Sequence, residues 1–74
     1  MQIHERIKFV RESKNITQTE IAEALNMQQT HYSKYERGLH EMSITRLKDI
    51  CLYLGVSADY ILGLPKNLWH PPIK

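Results

Sequence analysis

Residues 18–38 read QTEIAEALNMQQTHYSKYERG, a pattern typical of two short helices joined by a tight turn. Ala22 is a small residue within the first of these helices, so it allows the second helix to approach closely. Asn26 tolerates positive φ and marks the bend, and Tyr32 provides the apolar contact between the two helices. The segment therefore predicts a helix-turn-helix formed by helices two and three, with helix three over residues 28–37.

The start of helix two carries a capping box. Thr17 can accept a hydrogen bond from the backbone N–H of Glu20, while the Glu20 carboxylate accepts one from the N–H of Thr17. Ile16 and Ile21 flank this box at the positions of a hydrophobic staple. These four residues predict that helix two begins at Thr17.

Three further helices are predicted outside this segment. Helix one ends at Asn15, helix four runs from its cap Ser43 to Gly55, and helix five runs from its cap Ser57 to Gly63. Apolar residues at helical spacing mark the buried faces: Ile3, Ile7 and Val10 in helix one, and Ile44, Leu47, Cys51 and Leu54 in helix four. Because no alternating strand pattern occurs, the expected fold class is all-α, a compact five-helix bundle of short helices.

The chain of 74 residues is long enough for a single domain. Residues 3–64 contain the predicted helices, whereas residues 65–74 contain all three prolines and are expected to form a C-terminal tail. The helical domain leaves no residues for a ligand-sensing domain, so neither a cofactor nor a small-molecule ligand is expected.

Composition excludes several classes of protein. The net charge of +2 is only mildly basic, and the single cysteine, Cys51, cannot form a disulfide within the chain. No window resembles a signal peptide or a membrane span, which favours a cytoplasmic location. The sequence has no paired carboxylates or nucleophile elbow, and its histidines lack the spacing of a zinc motif, so neither an enzyme nor a metal site is expected.

The outward face of helix three predicts contact with DNA. Glutamine can bond bidentately to the edge of adenine, threonine offers a hydroxyl and a methyl group, and lysine reaches guanine or phosphate. Gln18 lies at the start of helix two, where free backbone N–H groups favour a phosphate. Gln18 is therefore expected to bind a DNA phosphate, and Thr17 to assist it. The face itself contains no acidic residue and comprises Gln28, Gln29, Thr30, Ser33, Lys34 and Arg37.

Four sequence blocks in order resemble the Cro/C1-type helix-turn-helix family, also called the XRE family. The blocks are R-I-K at residues 6–8, T-Q-T-E-I-A at 17–22, S-K-Y-E-R-G at 33–38 and L-G-V-S-A-D-Y-I-L-G at 54–63. Members include the DNA-binding domains of phage repressors and of many small bacterial regulators. The resemblance covers residues 3–64 and implies a lambda-repressor-like DNA-binding domain.

The resemblance also implies roles for individual residues. Gln28, Gln29, Thr30 and Lys34 fall on positions that usually read bases, with Ser33 on the same face, while Gln18 and Arg37 fall on positions that usually hold phosphate. Arg11 and Glu36 correspond to a largely buried ion pair that joins helix one to the end of helix three.

Two departures from the family are visible. Where the family often has a basic residue and a proline after the glycine, this chain has Leu39-His40-Glu41-Met42. The phosphate contact there is expected from Ser43, from Arg46 or from backbone amides at the start of helix four. Tyr32 stands where the family prefers Ile or Val.

The apolar tail predicts a contact beyond the domain. Leu68, Trp69 and Ile73 either fold back on the domain or meet a second subunit, and a homodimer that also uses Tyr60 and Leu64 is the favoured arrangement. Such a dimer would bind a near-palindromic operator, as a repressor more than as an activator. Two alternatives remain open: an antitoxin that binds operator DNA and a toxin through its tail, and a protein-interaction module whose helix three binds a partner instead of DNA.

Overall fold

The computed structural model describes residues 1–72, so Ile73 lies outside the described residues. These residues contain five α-helices and no strand, which confirms the all-α prediction. The helices are α1 (Ile3–Ser13), α2 (Gln18–Ala24), α3 (Gln29–Glu36), α4 (Ile44–Leu54) and α5 (Ala58–Leu62). None of the helices in residues 1–72 is long and apolar enough to cross a membrane.

The ends of the helices follow the local signals in the sequence. The capping box is present, with Glu20 N donating to Thr17 Oγ1 and Thr17 N donating to Glu20 Oε1, both at 3.0 Å. Asn15 and Asn26 have φ of 57° and 60°, as their positions at helix ends predicted. Gly38 ends α3 with φ of 72°, and a Cβ there would lie only 2.8 Å from Cε1 of His4.

The core forms where the five helices meet. Its buried apolar residues are Ile7, Val10, Ile21, Ala22, Tyr32, Tyr35, Ile50, Cys51, Leu54 and Ile61. Leu47 packs against this core from a partly buried position, and so do Ile16 and Met27. The core therefore holds α3 between α1 and α2 and leaves one side of α3 open to solvent.

Two predicted core positions are wrong. Ile3 is 43% exposed and Ile44 is 87% exposed, although both have the correct helical spacing. Each is the first residue of its helix, and both line an open surface groove instead of the core. Ile50, which the predicted stripe of α4 omitted, is fully buried instead.

Candidate nucleic-acid interface

The turn between α2 and α3 is tight because of its backbone hydrogen bonds. Met27 N donates to Ala22 O at 2.9 Å, and the positive φ of Asn26 reverses the chain direction. Ala22 is 1% exposed, in agreement with its predicted role at the contact between the two helices. The turn therefore sets α3 across α2 as a separate, projecting helix.

The residues predicted to read bases lie on the accessible side of α3 and at its start. The sequence predicts helix three over residues 28–37, but the first and last of these residues are caps outside α3: Gln28 is the N-cap and Arg37 is the C-cap. Most of this set is exposed, and Ser33 is half-buried. The exposed members are Gln28, Gln29, Thr30, Lys34 and Arg37.

A chain of two glutamines connects the exposed face of α3 to the interior. Gln29 Nε2 donates to Gln18 Oε1 at 2.5 Å, and Gln18 Nε2 donates to Glu36 Oε1 at 3.0 Å. The amide of Gln29 keeps its carbonyl oxygen and a second N–H for a further partner. The Gln29 side chain is therefore oriented before any ligand arrives.

The predicted ion pair between Arg11 and Glu36 is present and buried. Arg11 Nε lies 2.6 Å from Glu36 Oε2, and Arg11 Nη2 donates to Glu36 Oε1 at 3.0 Å. Arg11 Nη1 also donates to Ile16 O at 2.7 Å, which attaches α1 to the segment before α2. The hydrogen bond to Glu36 raises the pKa of Arg11 against the opposing effect of burial. The pair fixes the C-terminal end of α3 to α1.

Tyr32 completes this buried network. Its hydroxyl donates to Glu36 Oε2 at 2.5 Å, and the side chain is fully buried. Burial, followed by the hydrogen bond to the carboxylate, raises the pKa of Tyr32. Burial alone would raise the pKa of Glu36, but the hydrogen bonds from Arg11, Tyr32 and Gln18 outweigh it and lower that pKa. Glu36 is therefore ionised and saturated with donors.

Four of the predicted phosphate ligands also make structural contacts: Thr17 and Gln18, described above, and Ser43 and Arg46. Ser43 Oγ accepts from Arg46 N at 3.0 Å, so it caps α4, and Arg46 Nη1 donates to Leu25 O at 3.1 Å. Arg46 therefore satisfies a carbonyl at the C-terminal end of α2. Sequence reasoning missed this contact, because no local pattern connects residues 21 positions apart.

The residues predicted for the dimer interface are all exposed. Leu64 and Leu68 are about half exposed, and Trp69 is 84% exposed, so the described residues do not fold back over the domain at Trp69. Tyr60 is held on one side by Arg6, whose guanidinium lies 5.2 Å from the ring centroid and whose Nη1 donates to Tyr60 O at 3.2 Å. Sequence reasoning did not assign Arg6 this role.

The described residues contain no group of three or more His, Cys, Asp or Glu side chains that could hold a metal ion. The geometry instead consists of a tight turn, a projecting helix with a polar face, and a buried network that fixes the helix. This arrangement defines a helix-turn-helix DNA-binding domain.

Comparison with known proteins agrees with the geometry. The family model HTH_3, described as Helix-turn-helix, matches residues 7–61. The immunity repressor protein of Bacillus phage phi105 is 29% identical over 63 residues, which cover 85% of this chain and 44% of the repressor. The HTH-type transcriptional activator BcrR of Enterococcus faecalis is 34% identical over 63 residues, which cover 85% of this chain and 31% of BcrR.

A solved structure has the same fold. The crystal structure of the clp gene regulator ClgR from Corynebacterium glutamicum superposes with a TM-score of 0.77 at 30% sequence identity, covering 80% of this chain and 63% of that chain.

The matched part of this chain spans less than half the length of the phage phi105 repressor and of BcrR. The chain belongs to the HTH_3 family, the Cro/C1-type helix-turn-helix domains of DNA-binding transcriptional regulators, which are not enzymes.

Proposed function

We propose that this chain is a transcriptional repressor that binds a near-palindromic operator as a dimer, with α3 in the major groove. The observation that carries the proposal is the attachment of α3. Its outer face is polar and free of acidic residues, while its inner face is fixed to α1 by the buried pair of Arg11 and Glu36. A helix that is held rigidly can present base-reading side chains in one orientation, which lowers the cost of binding.

Base recognition is assigned to five side chains at the start and on the outer face of α3. Gln29 is pre-oriented by its hydrogen bond to Gln18, so it is the strongest candidate for bidentate contact with adenine. Lys34 lies one turn further along and reaches guanine acceptors. The full set of proposed base-reading residues is Gln28, Gln29, Thr30, Ser33 and Lys34.

Phosphate contacts are assigned to the residues around this face. Thr17 and Gln18 lie at the start of α2, and Arg37 is an exposed cation at the end of α3. Ser43 and Arg46 lie where the family's usual basic loop residue is missing. Contacts to phosphate position the protein on the duplex without reading its sequence.

A homodimer would place two copies of α3 on successive turns of the same face of DNA, about 34 Å apart. The proposed dimer surface consists of Tyr60, Leu64, Leu68 and Trp69, and it spans the end of the domain (residues 3–64) and the tail (residues 65–74). Repression then follows from occupation of the operator in the cytoplasm. The similarity to a phage immunity repressor supports repression, whereas the similarity to the activator BcrR supports operator binding but not this sign of regulation.

Selection of bound sites from random duplex DNA tests the proposal. We expect enrichment of an inverted repeat whose half-site centres are about 10 base pairs apart. Recovery of DNA without any enriched sequence would overturn sequence-specific binding, and recovery of a single, unpaired half-site would overturn the dimer.

A further inference from the structure

An apolar groove lies beside α5, outside the proposed base-reading face. Its volume is about 430 Å³. It opens between the start of α1, the segment 39–43, the start of α4 and the end of α5. The apolar side chains that line it are Ile3, Met42, Ile44, Leu47 and Leu62. Of the residues lining the groove, Glu41 alone carries a carboxylate.

None of the tail residues that the structure describes, 65–72, lines this groove. Trp69 is 84% exposed and Leu68 is 54% exposed, so both side chains present apolar surface that residues 1–72 do not cover. The direction of the tail is set at Gly63, whose φ of 74° is combined with a hydrogen bond of 2.8 Å from Leu64 N to Asp59 O. The chain direction therefore changes at the end of α5, immediately before the tail begins.

The chemistry of the tail matches the groove. Residues 64–72 read LPKNLWHPP, which contains three large apolar side chains, Leu64, Leu68 and Trp69, with one lysine and no acidic residue. The positive charge of Lys66 in the tail is complementary to the negative charge of Glu41 at the groove. The three prolines in the tail restrict its free conformations, which reduces the entropy lost when it docks.

Helix α5 alone is too small to form a stable dimer interface. A stable interface buries about 800 Å² on each partner, with roughly 20–30 residues a side. α5 has only five residues, from Ala58 to Leu62. Leu62 belongs to α5 and also lines the groove, so an interface that begins on α5 continues into the groove without a break.

We propose that Leu68 and Trp69 of one copy dock in this groove of a second copy, and that the exchange is reciprocal. The inference rests on the dimer in the proposed function and specifies how its two subunits hold each other. Segment 39–43, which forms one wall, leads directly into the start of α4, where Ser43 is a proposed phosphate contact. Docking of the tail would therefore place it against the segment that leads to this proposed DNA contact.

Fluorescence of Trp69, the single tryptophan, tests the docking in the full chain. As the protein concentration is raised through the dimerisation range, the emission of Trp69 should shift to shorter wavelength and its quenching by acrylamide should fall.

A charge placed in the groove should weaken the dimer. Ile44→Glu places such a charge at a position that is 87% exposed, so it leaves the core intact. We expect it to raise the dimer Kd at least tenfold, whereas Leu52→Glu, 70% exposed on the same helix but outside the groove, should not. Emission that is independent of concentration in a protein that dimerises would overturn the proposal.

Disulfide trapping separates docking between copies from docking within one copy. In a Cys51→Ala background, one variant carries Leu68→Cys and a second carries Ile44→Cys, and the two are mixed under oxidising conditions. A covalent heterodimer supports the proposal. A double variant that closes only an internal disulfide, together with no product from the mixture, would show that the tail docks on its own chain and would overturn it.

Failure of the proposed function is distinguishable from failure of this inference. If the mixture forms the covalent heterodimer but the protein enriches no DNA sequence, the exchange of tails stands without operator binding. If the protein selects an inverted repeat and no heterodimer forms, the exchange is overturned while operator binding stands.

Discussion

The Tyr32 hydroxyl donates a hydrogen bond of 2.5 Å to Oε2 of Glu36, one turn later on α3. The same oxygen lies 2.6 Å from Nε of Arg11 on α1. A side chain on the inner face of α3 thus shares a buried carboxylate with the residue that fixes α3 to α1. The network therefore fixes the inner side of α3, opposite the proposed base-reading face.

Removal of the Tyr32 hydroxyl should lower the free energy of unfolding of the domain. Tyr32→Phe withdraws one of the donors to a buried carboxylate, and a hydrogen bond to a charged group contributes about 1.5–3 kcal/mol. Because Arg11 and Gln18 still donate to Glu36, we expect a loss near the lower end, about 1.5 kcal/mol, in the free energy of unfolding. Urea denaturation followed by circular dichroism measures it.

Tyr35→Phe is the matched control. Tyr35 is also buried on α3, but its hydroxyl forms no hydrogen bond with another side chain or backbone group in residues 1–72. Its loss should change the free energy of unfolding by no more than about 0.5 kcal/mol. Equal effects of the two substitutions would show that the Tyr32 hydroxyl has no special role.

Loss of the Arg11 side chain should lower the free energy of unfolding more than loss of the Tyr32 hydroxyl does. Arg11→Met leaves the carboxylate of Glu36 buried without its cation, and breaking a buried pair from one side costs about 3–5 kcal/mol. The double variant Arg11→Met, Glu36→Leu should recover part of this loss because no charge is then buried. Glu12→Gln is the control, since Glu12 is an exposed partner at 4.0 Å and should contribute less than about 1 kcal/mol. A double variant no more stable than Arg11→Met would argue against the buried charge as the cause.

The lowered pKa of Glu36 predicts how stability depends on pH. The folded-state pKa lies below the unfolded value of about 4.3, so the unfolded chain binds more protons in the acid range. The contribution of Glu36 is therefore complete above the unfolded pKa and is lost as the pH falls through the folded pKa. Urea midpoints measured from pH 7 to pH 3 should fall steeply below about pH 4.3 in the wild type and less steeply in Glu36→Gln. Parallel curves would contradict this assignment.

The local features of the fold could be predicted from the sequence. Caps and positive-φ residues act over three or four positions, so Thr17 and Asn26 marked their helix ends correctly. Spacing alone did not show how far each helix extends beyond its neighbours, and for that reason Ile44 was wrongly placed in the core.

The buried polar network could be predicted only in part. The pairing of Arg11 with Glu36 followed from the family resemblance, but the added hydroxyl of Tyr32 did not, because sequence position shows only that the ring is buried. The bond from Arg46 to Leu25 O likewise depends on how closely α4 approaches the end of α2. Contacts of this kind are determined by the crossing of helices, which spacing along the chain does not specify.

The thiol of Cys51 should react slowly in the folded protein. Burial raises the pKa of Cys51, so less thiolate is present at neutral pH, and the side chain is also shielded from reagents. Labelling with a thiol reagent should be slow in buffer and fast in denaturant. Labelling at the same rate in both conditions would show that the thiol is accessible in the folded protein.

Site selection with two substituted proteins tests the central claim, the reading of bases by the outer face of α3. Lys34→Ala should relax the base preference at one position of each half-site. Arg37→Ala should select the wild-type sequence with lower affinity and a salt slope reduced by about one unit. If both variants select the wild-type sequence and bind it with unchanged affinity at physiological salt, α3 does not read the operator and the account is wrong.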